Sequence, residues 1–152
     1  MHQLIALEIE GVSSSNNTPP TIEDIFKARD MLKGTPIRKT PLQGSDTFSK
    51  LTGTNLFLKI ESLQRTGSFK VRGAFVKLNM LSEEQCKYGV IAASAGNHAQ
   101  GVALAARKLG CRAVIVMPAT TPEMKLDAVR ALGAEVILHD DGFPDAYRYA
   151  LA

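Results

Sequence analysis

The residues best able to do chemistry lie in one run, Gln64-Arg65-Thr66-Gly67-Ser68-Phe69-Lys70-Val71-Arg72-Gly73-Ala74. Val71, Ala74, Phe75 and Leu78 follow the i, i+3, i+4, i+7 spacing of a half-buried helix. Ser68 stands just before that stripe, where a hydroxyl can cap the first free amides. Lys70 then falls in the first helical turn. The macrodipole puts partial positive charge there, and the apolar neighbours Phe69 and Val71 make a cation costlier to desolvate. Both effects favour the neutral, nucleophilic amine that condenses with a carbonyl to a Schiff base. The ordinary alternative is a lysine whose stem covers apolar surface while its ammonium reaches water.

A second stretch, Ser94-Ala95-Gly96-Asn97-His98-Ala99-Gln100-Gly101, joins an apolar strand to a helix with Ala99, Val102, Ala103, Ala106 and Leu109 on its inner face. A strand-to-helix turn of small residues leaves backbone amides pointing outward at a helix N-terminus, a site for a phosphate or carboxylate. The glycine spacing fits neither a dinucleotide fingerprint nor a P-loop. Asn97 is the natural cap, and His98 by itself reads as packed or exposed rather than catalytic. In a parallel sheet, the loops leaving the carboxyl ends of the strands converge on one edge. A nucleophilic lysine facing a carboxylate-sized amide cradle points to chemistry on an amino acid.

The elements that must position these stretches alternate. Thr21 can cap a helix with Ile22, Ile25, Phe26 and Leu32 on one side, stopped near Gly34. Residues 55–60 form a short strand, 69–80 a helix, and Ser82 to Gln85 has capping-box spacing for a small extra helix. Strands at 90–93, 113–117 and 135–138 then alternate with helices at 98–109, after Pro122 and from near Pro144. This rhythm predicts an α/β fold with a parallel sheet and flanking helices joined by right-handed crossovers. Residues 1–20 read as a flexible lead-in, although 1–9 is apolar enough to dock, and residues 21–152 read as the lysine-bearing α/β region.

At 152 residues, 45% apolar and 22% charged, the chain has the composition of one soluble globular domain. No apolar run is long enough for a membrane span. The net charge of +3 comes from scattered lysines and arginines, with no basic stripe for nucleic acid. Cys86 and Cys111 lack metal-ligand spacing and read as buried thiols in a reducing compartment, which points to the cytoplasm. No metal site is expected.

The run from Lys59 to Ala74 closely resembles the lysine motif of pyridoxal-phosphate threonine dehydratases. Ser94 to Gly101 is similar to their asparagine loop, and the likeness continues through Val116-Met117-Pro118 and residues 125–130, covering about residues 20 to 143. The resemblance implies a fold-type II enzyme with its cofactor between two domains. Lys70 would hold pyridoxal phosphate as a Schiff base and later move the substrate's α proton. Phe69 would lie beside the cofactor, and Asn97 would hydrogen-bond its phenolic oxygen. The amides of Ser94, Ala95, Gly96, Asn97 and His98 would grip the substrate carboxylate. Threonine would then lose its β-hydroxyl as water and give 2-oxobutanoate and ammonia.

The resemblance also implies a homo-oligomer when complete, and a glycine-rich phosphate run and a pyridine-nitrogen partner later in the chain. No two glycines are adjacent here, so the sequence reads as the N-terminal portion of such an enzyme and is expected to be inactive alone. Serine dehydration or racemisation on the same fold, and a non-catalytic truncated domain, are the alternatives.

Overall fold

The structure is a computed structural model that describes residues 4–6 and 19–152. In chain order its elements begin with β1 (Ile5–Ala6), α1 (Ile22–Met31), β2 (Leu42–Gly44), α2 (Asp46–Thr52) and β3 (Phe57–Lys59). α3 (Lys70–Asn79), α4 (Glu83–Tyr88), β4 (Val90–Ala93) and α5 (Asn97–Leu109) follow. β5 (Ala113–Met117), α6 (Glu123–Ala131), β6 (Glu135–Leu138) and α7 (Phe143–Leu151) complete the series.

β1, β4, β5 and β6 form one sheet in that spatial order, every pairing parallel. Each residue of β4 and β5 is buried, which is why these strands read as unbroken apolar runs rather than alternating ones. Val71 and Phe75 of α3, Val102 of α5 and Leu126 of α6 pack with Ile115 and Met117 on one face. Ala146 and Ala150 of α7 pack with Ile91, Val114 and Val116 on the other. The expected α/β layering with a parallel sheet is therefore present. Gly110 ends α5 in a left-handed conformation (φ 73°), a turn that a side chain would strain.

Four features depart from the sequence reading. The strand expected at 55–60 is β3, but it pairs antiparallel with β2 in a separate two-stranded sheet, Leu42 opposite Lys59. α2, capped by the Ser45 hydroxyl, joins the two and was not expected. Ile5–Ala6 add a parallel edge to the main sheet beside Val90 and Ile91, whereas residues 7–18 of the lead-in lie outside the described residues. Finally, Cys86 and Cys111 are not separate thiols. They form a disulfide with a Cα–Cα distance of 5.1 Å, because the end of α5 returns the chain beside α4.

Candidate active site

α3 begins at Lys70, with Phe69 as its cap residue. The Ser68 hydroxyl accepts a hydrogen bond from the Lys70 amide at 3.2 Å, so the serine serves the first turn as expected, one position earlier than a usual cap. Thr66 (φ 62°) and Gly67 (φ 66°) both adopt left-handed conformations just before it. Such a conformation is costly for a β-branched threonine, so the surroundings must hold this turn in place.

Those surroundings are polar and well satisfied. The buried Gln64 side chain accepts from the amides of Arg38 and Arg65, each at 2.9 Å, and donates to the Arg38 carbonyl at 2.8 Å. One turn into α3, the Arg72 guanidinium donates to both oxygens of Glu61, at 2.9 and 2.8 Å. That fork, seconded by the Thr40 hydroxyl, pulls the Glu61 carboxyl down to about 2. Residues 36–41, the segment from Glu61 and the start of α3 are thus tied together around the lysine turn.

The second turn leaves the carboxyl end of β4. The helix cap is Gly96 rather than Asn97, and no side chain caps α5. Asn97 is the first helical residue and is exposed, so its side chain is left available for a ligand instead of being spent on the helix. The Ser94 hydroxyl accepts from the Gly96 amide at 3.3 Å and holds the turn. The first amides of α5 have no carbonyl one turn earlier to bond to. They therefore present donors, with the helix dipole behind them, to an anion.

These two turns face one cleft of about 330 Å³ lined by Ser68, Phe69, Lys70, Ala93, Ser94, Asn97, His98 and Phe143. Of the residues singled out from the sequence, Lys70, Phe69, Ser94, Asn97 and His98 meet here, whereas Ala95 and Gly96 complete the turn without lining the cleft. Lys70 Nζ lies 5.8 Å from the centre of the Phe69 ring.

His98 Nε2 is buried without a hydrogen-bond partner. Burial, with the Lys70 charge nearby as a smaller cause, pushes the imidazole down to about 4, so it is neutral at neutral pH. Phe143, the first residue of α7, was not foreseen. Its ring stacks with Tyr147 at 6.2 Å, and only the order of the strands brings it to this edge. Among the described residues, no group of histidine, cysteine and carboxylate side chains could hold a metal ion.

The residues present suit an aldehyde cofactor bearing an anionic group. A half-buried amine and an exposed amide side chain share the cleft with an aromatic ring, and an uncapped helix start supplies anion donors. Comparison with known proteins agrees. The chain is 53% identical over 131 residues to the L-threonine ammonia-lyase of Thermotoga maritima, covering 86% of this chain and 32% of that protein. It is 47% identical over 127 residues to the catabolic L-threonine dehydratase of Escherichia coli K12, covering 84% and 38%.

Among solved structures, the processed form of threonine deaminase isoform 2 from Solanum lycopersicum superposes with a TM-score of 0.74 at 44% identity, covering 90% of this chain and 39% of that one. Maize serine racemase gives 0.78 at 34% identity, covering 86% and 39%. The chain thus spans roughly a third of the length of these relatives. The family model for pyridoxal-phosphate dependent enzymes matches residues 34–152, which include both turns and the whole cleft, and the chain belongs to that family.

Proposed function

We propose that this chain is the lysine-bearing part of a pyridoxal-phosphate-dependent threonine ammonia-lyase, converting L-threonine to 2-oxobutanoate and ammonia. The observation that carries the reading is the placement of Lys70 across one cleft from the uncapped start of α5, in a sequence 53% identical to a threonine ammonia-lyase. Lys70 Nζ would carry the cofactor and, once displaced by the substrate amine, take the α proton. The amides of Ser94, Ala95, Gly96, Asn97 and His98 would hold the substrate carboxylate, and the Asn97 side chain would donate to the cofactor's phenolic oxygen. Phe69 would lie beside the cofactor. Neutral His98 adds no cation to the cleft. The cofactor, when bound, supplies the electron sink that makes the α proton acidic.

A second reading, serine racemisation, is favoured by one observation. Maize serine racemase superposes slightly better than the tomato deaminase, although its sequence is less similar. The full-length protein given L-threonine or L-serine decides between them. The proposal predicts 2-oxobutanoate from threonine as the faster reaction. D-serine as the main product would favour the second reading, and neither product would sink both. The Cys86–Cys111 link removes the thiol argument for a cytoplasmic location. A homo-oligomeric state belongs to the same proposal, and sedimentation of the full-length protein tests it.

A further inference from the structure

Gly101 lies one turn beyond Asn97 on α5, where that helix meets the start of α3. A Cβ placed on Gly101 would stand 3.2 Å from both the amide nitrogen and the Cα of Val71, and 3.3 Å from the carbonyl carbon of Lys70. All three are main-chain atoms. A crowded side-chain tip can swing aside, but a main chain in the first turn of a helix cannot. This one is pinned by the Ser68 hydroxyl on the Lys70 amide and by the Arg72 amide donating to the Phe69 carbonyl at 2.9 Å. Val71 is wholly buried, so its own side chain has no free space to move into. Gly73, on α3 itself, is different, since a Cβ there meets nothing within 4 Å.

We propose that Gly101 is a positioning residue for the reaction: the missing side chain lets α5 rest on the main chain of Lys70 and Val71, which sets the separation between the lysine amine and the amide cradle at 94–98. Both turns of the cleft then meet at this backbone contact, within the wider packing of α3 on α5. An added methyl group there must push the lysine turn and the cradle apart by a few tenths of an ångström. Displacements on the ångström scale cost rate out of proportion to their effect on binding. The activity arm of this inference rests on the proposed lyase reading, and the spectroscopic arm does not.

The test uses the full-length enzyme with pyridoxal 5'-phosphate, comparing Gly101→Ala with Gly73→Ala and Val71→Ala. Thermal unfolding, the pH titration of the bound cofactor's absorbance, and kcat and KM for L-threonine are measured on each. Gly101→Ala should fold and bind cofactor, shift the titration midpoint, and lower kcat about 3- to 10-fold with KM changed less than about twofold. Gly73→Ala should leave titration and kinetics in place. Val71→Ala removes buried volume from the same contact without adding to α5, and should lower the melting temperature but keep the titration.

Unaltered titration and kinetics in Gly101→Ala would overturn the proposal. So would failure of that variant to fold, or a titration shift of equal size in Val71→Ala, because the glycine would then serve packing alone. If the unsubstituted enzyme forms no 2-oxobutanoate, the lyase reading fails while the titration still decides the role of Gly101.

Discussion

His98 and Glu61 make the fold acid-sensitive in two successive, slightly overlapping windows. The His98 imidazole is held near 4, below the 6.5 of a free histidine, by burial and then by Lys70. Below pH 6.5 the unfolded chain therefore takes up a proton that the folded chain does not, and stability falls as pH drops towards 4. Glu61, held to about 2 against an ordinary 4.5 by Arg72, contributes stability that is present above pH 4.5 and lost as pH falls towards 2. His98→Gln should flatten the melting temperature between pH 6.5 and 4 and leave the steeper loss below pH 4.5. An unchanged profile would remove His98 from the account. Glu61→Gln should cost about 1 to 2 kcal/mol in denaturant unfolding near neutral pH, the partly exposed pair being worth less than a buried one. The place of Lys70 at the start of α3 was legible because the apolar stripe after it has helical spacing. Asn97 was misplaced by one position, since Gly96 leaves the cap unfilled and frees the asparagine. Phe143 was not legible, because nothing near it in the chain signals that β6 ends beside the cleft.

At the scale of elements, burial decided what could be read. β4, β5 and α5 carry buried runs or stripes, and their positions follow from those patterns within a residue or two. β2 and β3 have three residues each, all exposed, so no alternation marks them. β1 has two residues, too few for any periodicity. The Cys86–Cys111 link was missed because 25 residues separate partners that only the packing of α4 against the end of α5 brings together. That loop encloses β4, the Ser94–Asn97 turn and α5. Reduction of the pair is expected to cost about 3 kcal/mol of stability through the freed loop. Thiol titration should find no free cysteine before reduction and two after, and two titratable thiols in the native oxidised protein would contradict the link.

For the molecule as a whole, apolar surface is unevenly covered. Ile22, Ile25 and Phe26 of α1 are exposed, as are Leu42, Phe57, Phe48 and Leu51 of the hairpin and its helix. Exposed apolar side chains in such number favour association, so the 152-residue chain purified by itself should bind an apolar fluorescent dye and sediment faster as its concentration rises. The main sheet and its two apolar faces bring the lysine turn and the α5 turn to one cleft, and the account stands on Lys70 being the residue that holds the cofactor there. Borohydride reduction of the full-length protein with pyridoxal phosphate bound, followed by peptide mapping, tests this directly. The account predicts the reduced cofactor on Lys70, in the peptide spanning Ser68 to Val71. Label on Lys59 or Lys77 with Lys70 unmodified would contradict it.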